Sequence, residues 1–163
     1  MSDAVQIPLI AGYNKQGEAM VEQVNALVIE GKHKEFRIEK SPAFVRGLAA
    51  GDRISYPTDD KAGWELLEHS GNLCIRVLSK LNTDDLDQML TPEMELIDGK
   101  LDVKSPRILV YTIHVSIGFQ KIEETLNKVL AGFPDTVWYY GNVYDADDGV
   151  TPLNWWLDIA ASV

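Results

Sequence analysis

Residues 107–134 read RILVYTIHVSIGFQKIEETLNKVLAGFP, and the spacing of their apolar side chains changes partway along. Over 107–115 these side chains alternate, which predicts a strand. Over 118–134 they recur at helical spacing while lysines and glutamates fill the opposite face, which predicts an amphipathic helix. Its apolar positions are Phe119, Ile122, Leu126, Val129, Leu130 and Phe133. Gly132 and Pro134 mark its end, because glycine is favoured just after a helix and proline cannot continue one.

Two further strands are predicted after this helix, at 136–144 and 154–159, on either side of the polar loop DADDGVTPL. The acidic C-terminal unit, residues 107–163, therefore has the order β-α-β-β, which is half of a ferredoxin-like fold. One helix covers one face of such a sheet, yet both faces of the predicted strands carry aromatic side chains. A sheet that is apolar on both faces needs a second covering layer. The open face is therefore expected to contact the N-terminal half, a second copy of the chain or a foreign partner.

Residues 1–80 are predicted to form a small β-rich unit. Apolar alternation and turn residues predict a hairpin at 22–40, a short strand at 53–56 and two strands within 63–80. Several short strands separated by glycine turns indicate a barrel-like or strongly bent sheet. The fold class expected for the whole chain is therefore α+β.

The stretch between the two units, residues 81–106, is predicted to hold a short helix, a hairpin and a connector. Thr83 has the side chain of a helix cap and would precede a helix within 82–94. The Asp-Gly pair in the middle of 95–103 lies between apolar residues, which is typical of a tight hairpin.

The turn at residues 41–56, SPAFVRGLAAGDRISY, has a specific composition. Gly47 and Gly51 can adopt positive φ or let backbone segments approach closely, and Pro42 fixes φ where the turn begins. Asp52 can accept hydrogen bonds from nearby main-chain N–H groups. The apolar residues expected to anchor the turn to the core are Phe44, Val45 and Leu48. Two interpretations remain open, a structural corner and a nest of N–H groups that binds a ligand.

Together with the residues that follow it, this turn resembles a family of bacterial proteins, the domain of unknown function numbered 4265. The shared pattern is Pro-aromatic-aliphatic-x-Gly-aliphatic-x-x-Gly-Asp, followed by a Ser-Gly turn and an Arg-Val strand. The matching residues are Pro42, Phe44, Val45, Gly47, Leu48, Gly51, Asp52, Ser70, Gly71, Arg76 and Val77. The resemblance covers residues 22–80 and implies a fold and a bacterial source, without an activity. A histidine commonly follows the Ser-Gly pair in the family, whereas this chain has Asn72, so no role of that histidine is carried over.

The composition is that of a globular protein, with 163 residues of which 45% are hydrophobic and 25% charged. We identify no signal peptide or membrane segment, and the single cysteine, Cys74, fits a reducing cytoplasm. Residues 1–80 carry 10 basic and 11 acidic side chains, whereas residues 81–163 carry 5 and 14, which gives a net charge of −10. The acidic half disfavours nucleic acid and attracts a basic partner, unless its charge serves solubility alone.

No catalytic residue, metal site or cofactor is predicted. The stretch GYNKQGE at 12–18 has the glycines of a phosphate-binding loop, but Glu18 stands where the lysine is needed. DADDG at 145–149 begins like a calcium loop, yet the twelfth residue counted from Asp145 is Trp156 instead of a glutamate. The residues that lack metal-ligand spacing with one another are His33, His69, His114 and Cys74.

The leading interpretation is a non-enzymatic protein-binding protein of the cytoplasm whose acidic half faces the partner. The expected partner is a basic protein, such as a toxin blocked by an immunity protein, or a second copy of the chain. The aromatic anchors assigned to that surface are Trp138, Tyr140, Tyr144 and Trp156, because interface hot spots favour tryptophan and tyrosine. The rim charges assigned to it are Asp145, Asp147 and Asp148.

The alternative interpretation is a small enzyme or small-molecule-binding protein. Its site would lie in the crevice between the two units and would use main-chain donors of the 41–56 turn together with His69 or Asp52. A small molecule that stabilises the protein would distinguish this interpretation from protein binding.

Overall fold

The computed structural model describes residues 4–59, 63–145 and 148–161. These residues form two antiparallel sheets, of five and four strands, and three α-helices. The mixture of strands and helices expected from the sequence is confirmed, and both sheets are open. No helix of the described residues has both the length and the apolar content needed to cross a membrane.

The first sheet holds the first five strands in chain order. They are β1 (Ala4–Tyr13), β2 (Ala19–Val28), β3 (Glu35–Ile38), β4 (Arg53–Ser55) and β5 (Glu65–Glu68). Alternate side chains of β1 and β2 point inwards. Leu9 and Val24 are therefore buried, while the residues that precede them, Pro8 and Gln23, are exposed. Because β1 and β5 are unpaired edges of an open sheet, the barrel-like alternative is wrong.

The second sheet has the strand order β7-β8-β6-β9 and is flanked by two helices. Its elements in chain order are β6 (Asn72–Ser79), α1 (Asp84–Leu96), β7 (Lys100–Ser105), β8 (Ile108–His114), α2 (Phe119–Leu130) and β9 (Thr136–Tyr140). This order, β-α-β-β-α-β with antiparallel neighbours, is the complete ferredoxin-like arrangement. Of the predicted β-α-β-β unit, β8, α2 and β9 form, and the sheet is completed by β6, α1 and β7 instead of by a strand at 154–159.

One face of this sheet packs against α1 and α2. The buried core includes Leu73, Ile75 and Val77 of β6, Leu86, Leu90 and Met94 of α1, and Ile122 and Leu126 of α2. The periodicity predicted for α2 matches its contacts, because the buried Ile122 and Leu126 lie one helical turn apart.

Several expectations for this half of the chain are wrong. The hairpin predicted over 95–103 does not form, because Glu95 and Leu96 complete α1 and β7 follows a turn. The segment 154–159, predicted as a strand, is helical from residue 155 onwards, in α3 (Trp155–Ala161), which is too short to show a clear helical period.

The position of β6 also differs from the expectation. Residues 63–80 are predicted to lie in the N-terminal unit, whereas β6 pairs with β8 and β9 at the centre of the second sheet. The sheets therefore divide the chain before residue 72, and the division into domains remains a prediction.

The second face of this sheet contacts the N-terminal half, through the 41–56 turn. The shared apolar cluster consists of Ala43 and Ala49 of the turn, Cys74 of β6, and Ile108 and Val110 of β8. The turn covers the middle of the sheet, while Val137 at the β9 edge of the same face is 62% exposed. One of the three occupants expected for this face is thus present, and part of the face remains open.

Candidate functional site

A buried arginine holds the 41–56 turn against the second sheet. Arg76 lies on β6 and is 1% exposed. Its guanidinium donates to the main-chain carbonyls of Pro42 at 3.3 Å, Phe44 at 3.5 Å and Val45. It also lies over the ring of Tyr139, with 5.8 Å between the guanidinium carbon and the ring centroid. These carbonyl oxygens replace the water molecules that the cation loses on burial.

A carboxylate from the first sheet holds the same segment from its other side. The two oxygens of Glu22, on β2, accept hydrogen bonds from the main-chain N–H groups of Ala43 at 2.7 Å and of Phe44 and Val45 at 2.9 Å. We call this pair of contacts the Glu22–Arg76 clamp, because an anion binds the N–H groups and a cation binds the carbonyls of one segment. In the nest interpretation, main-chain N–H groups of the turn would bind a ligand. The N–H groups of residues 43–45 bind the Glu22 carboxylate instead.

The clamp fixes a segment whose side chains point in opposite directions. Val45 and Leu48 are buried, at 1% and 0% exposure, and anchor the turn as expected. Phe44, expected to be a third anchor, is instead 57% exposed. The aromatic residue of the turn therefore lies on the surface while its main chain is hydrogen-bonded on both sides.

Asp52 ties the end of the turn to the segment before β6. Its buried carboxylate accepts hydrogen bonds from the N–H of Ala49 at 3.0 Å and of Ser70 at 2.8 Å, and from the Ser70 hydroxyl at 3.1 Å. Burial nevertheless raises the pKa of Asp52 to about 6, because desolvation outweighs these bonds. Gly51 has a φ of 90°, and a Cβ there would lie 2.7 Å from Ser70 Cβ. The corner therefore requires glycine.

An open cavity of about 370 Å³ lies beside the turn. Its lining residues are Arg46, Tyr139, Tyr140, Gly141, Tyr144, Asp145 and Gly149. The main-chain N–H of Gly47 donates to the carbonyl of Gly141 at 2.9 Å, which joins the turn to the chain after β9. The cavity thus lies where the two halves of the chain meet.

Exposed or half-exposed side chains surround this cavity and extend along β9. We call Phe44, Arg46, Val137, Tyr139 and Tyr144 the exposed patch. Arg46, Tyr139 and Tyr144 share the cavity, and Val137 lies two residues from Tyr139 on the same face of β9. We include Phe44 because its side chain is exposed and its main-chain carbonyl contacts the Arg76 guanidinium, which lies over the Tyr139 ring.

Three of the four aromatic anchors assigned from sequence lie on the helix side of the sheet. Tyr140 is 8% exposed and its hydroxyl donates to Glu123 at 2.9 Å, so its assignment as a docking anchor is wrong. Trp138 is half-buried, and its indole N–H donates to Asn127 at 3.0 Å. Trp156 is half-buried against Phe119, with ring centroids 5.2 Å apart. Tyr144 remains at the surface, at 40% exposure.

The acidic rim residues lie in the loop after β9. The carboxylate of Asp148 accepts hydrogen bonds from the Thr151 hydroxyl and from the N–H groups of Thr151 at 2.9 Å and Val150 at 2.8 Å, and these bonds lower its pKa. Asp145 is half-buried and lines the cavity. Asp147 lies outside the described residues.

His69 and Cys74 both lie in packed surroundings. His69 stacks on Trp155, with centroids 4.6 Å apart, and burial lowers its pKa. Burial raises the pKa of the Cys74 thiol to about 11, and its sulfur lies 3.5 Å from the carbonyl oxygen of Pro42. Within the described part of the chain, no three histidine, cysteine, aspartate or glutamate residues are placed to hold a metal ion.

Glu22 is not among the site residues predicted from the sequence. A detectable signal exists, because Glu22 is in phase with Val24 and Ala26, whose side chains are buried on the core face of β2. A carboxylate on the inward face of a strand indicates a specific polar contact. Its partner at residues 43–45 could not be identified from local spacing.

The comparisons with known proteins identify a family and a similar fold. A profile of the domain of unknown function DUF4265 matches residues 22–132. The fold is similar to a crystal structure described as that of a hypothetical protein from Neisseria gonorrhoeae, with a TM-score of 0.63 and 17% identity over 86% of this chain and 94% of the other. No curated protein matches the chain. The matched residues include the Glu22–Arg76 clamp and Phe44, and they end before β9.

Proposed function

This chain belongs to the DUF4265 family, and we propose that it is a non-enzymatic protein-binding module that docks its partner on the exposed patch. The observation that carries the proposal is the clamped turn. Glu22 and Arg76 hold the main chain of residues 42–45 from both sides while Phe44 remains 57% exposed. A buried cation and a carboxylate are used here to fix a segment that presents an aromatic side chain to solvent.

Fixing the segment beforehand favours binding. An interface side chain that is immobilised on association costs about 0.5–1.5 kcal/mol, in addition to any ordering of its loop. The clamp removes the loop contribution, because the main chain of the turn is already hydrogen-bonded. Complete burial of a phenylalanine side chain contributes about 1.5–3 kcal/mol of favourable free energy. Phe44 can contribute on binding the share that corresponds to its exposed surface.

Charge favours a basic protein as the partner. Residues 81–163, which include β9 and the loop after it, carry 14 acidic and 5 basic side chains. Such a field accelerates the encounter with a basic surface and repels a second copy, whose net charge is also −10. An inhibitor of a basic toxin is one protein of this kind.

Site-specific photocross-linking tests the proposal. A benzoylphenylalanine at position 44, in cells that naturally contain the protein, is expected to form an adduct with a basic protein, and added salt is expected to reduce the yield. The matched control is the same group at Leu96, which is 78% exposed on α1, away from the exposed patch. Equal adducts from both positions, or none from position 44, would remove the proposal.

The cavity supports a second candidate, the binding of a small anionic molecule. Arg46 lines the cavity and forms no ion pair with the residues that the structure describes, and Tyr139 and Tyr144 are among the other lining residues. A carboxylate that raises the melting temperature of the wild type and not of Arg46→Ala would support this function. Equal shifts in both proteins would exclude Arg46 from it.

A further inference from the structure

Of the four sheet edges formed by the described residues, three carry features that prevent pairing with another chain. β1 contains Pro8 and an irregular register between Ile10 and Gly12. β5 begins and ends with a glutamate and pairs irregularly with β4. β7 carries Lys100, Asp102 and Lys104 and a register shift at its centre. Prolines, charges and bulges are the usual means by which exposed strands avoid unwanted partners.

The fourth edge, β9, has none of these features. Its sequence, Thr136 to Tyr140, reads TVWYY and contains no charge and no proline. Its pairing with β6 runs without a register shift, and Val137 is 62% exposed. Shortness alone does not explain the difference, because β5 is shorter and still carries two glutamates.

The main chain of β9 has groups directed away from the sheet. Gly141 N–H donates to the carbonyl of Cys74 at 2.8 Å, and Lys80 N–H donates to the carbonyl of Asp135 at 3.1 Å. In an antiparallel ladder the main-chain groups of alternate residues bond to the same neighbouring strand. The N–H and C=O groups of Val137 and Tyr139 therefore also point towards β6. The N–H and C=O groups of Trp138 and Tyr140 therefore point away from it. No turn or loop of the described residues bonds to them.

We propose that β9 receives an extended segment of the partner as an added strand, with apolar side chains at alternate positions and lysine or arginine at its ends. This proposal rests on the proposed function and specifies the partner's binding element. Main-chain hydrogen bonds to Trp138 and Tyr140 would provide affinity, and alternate side chains would contact Val137 and Phe44. Strand addition explains why this edge alone, among the four, lacks protection.

The charges around β9 indicate a basic segment. Asp135 precedes the uncharged strand and Asp145 and Asp148 follow it, so these carboxylates outnumber the one cation of the exposed patch, Arg46, which lines the same cavity as Asp145. A second copy fits less well, because a two-fold antiparallel pairing centred on Trp138 would bring the acidic ends of the two strands together.

Synthetic peptides provide the probe for this edge. Peptides of about nine residues carry valine, isoleucine, tyrosine or phenylalanine at alternate positions and lysines at both ends. Matched peptides carry terminal glutamates, or N-methyl groups on alternate main-chain nitrogens in either register. The lysine-ended peptides are expected to bind about tenfold more tightly than the glutamate-ended ones. N-methylation in the register that faces β9 is expected to abolish binding, and N-methylation in the other register is not.

Amide hydrogen exchange of the full chain locates the contact. In the peptide complex, exchange is expected to slow by about tenfold or more at Trp138 and Tyr140 and to change little at Val137 and Tyr139, which already bond to β6. Val137→Lys is expected to weaken binding of the lysine-ended peptides by about tenfold. Leu96→Lys, on α1, is the matched control and is expected to bind as the wild type does.

Each other outcome overturns the proposal. Peptide binding without protection at Trp138 and Tyr140 would exclude strand addition and leave docking on the exposed patch intact. Protection that depends on protein concentration without peptide, together with a dimer in sedimentation, would identify a second copy as the occupant. Failure of every peptide to bind would also overturn strand addition, whereas the proposed function depends separately on the cross-link from position 44.

Discussion

Arg76 carries a full charge where water cannot reach it. No carboxylate of the described residues pairs with it, and the carbonyls of Pro42, Phe44 and Val45 take the place of a counterion. The arginine and the turn therefore depend on each other. The carbonyls satisfy the guanidinium, and the guanidinium satisfies carbonyls that would otherwise be buried without donors.

Arg76→Met is expected to lower the free energy of unfolding by about 3 kcal/mol, because buried carbonyls lose their donors. Urea denaturation at pH 7 measures this. The control is Arg107→Met at an exposed position, with an expected change below about 0.5 kcal/mol. Equal free energies of unfolding for the two variants would show that the Arg76 contacts of the clamp do not contribute to stability.

The raised pKa of Asp52 predicts how the free energy of unfolding changes with pH. Its pKa is about 6 in the folded chain, against an ordinary value of 3.8 for an aspartate, so the folded state binds one more proton than the unfolded state between these pH values. The free energy of unfolding should therefore fall as the pH rises from about 4 to about 6, by up to about 3 kcal/mol. Asp52→Asn should lack this decrease. A carboxyl carbon of Asp52 that titrates below pH 4 in NMR spectra would contradict the prediction.

Helix α3 depends on its aromatic contacts. It has 7 residues, and a helix of this length is unstable in isolation. The indole N–H of Trp155 donates to the carbonyl of Asn142 at 2.8 Å, and Trp156 packs edge-on against Phe119. The helix therefore completes the core on the helix side of the second sheet.

Trp156→Ala is expected to lower the free energy of unfolding by about 2 kcal/mol, less than for a fully buried tryptophan, because the side chain is half-buried. Leu157→Ala, on the same helix and at a position that is 57% exposed, should cost less than about 0.5 kcal/mol. Chemical denaturation followed by circular dichroism compares them. If Trp156→Ala is as stable as the wild type, Trp156 is a surface residue, as its assignment as an anchor requires.

At the scale of the whole molecule, local sequence patterns predict secondary-structure elements better than they predict the contacts between those elements. The period of residues 107–134 predicts β8 and α2, and the glycines of the 41–56 turn have the positive φ values expected of them, 88° and 90°. Over 154–159 the adjacent tryptophans fit a strand and a helix equally, and tertiary packing selects the helix. The strand β1 escapes detection because Pro8 and Gly12 interrupt its alternation.

The candidate site depends on contacts between residues far apart in the sequence. Glu22, the 41–56 turn and Arg76 come from three separate segments, and β9 is more distant still. Spacing within one segment cannot show that a carboxylate and a guanidinium bind opposite sides of the same main chain. It also cannot show that Tyr140 is buried and that Tyr139 is half-exposed, although alternation places the two side chains on opposite faces.

The most direct test of the clamped turn as a docking element is to compare the affinity and the stability of Phe44→Ala. The partner recovered by cross-linking is expected to bind this variant at least about tenfold more weakly, while the free energy of unfolding changes by less than about 0.5 kcal/mol. Leu96→Ala, also exposed, should change neither quantity. Unchanged affinity for Phe44→Ala, or a loss of stability that accounts for the weaker binding, would contradict the account.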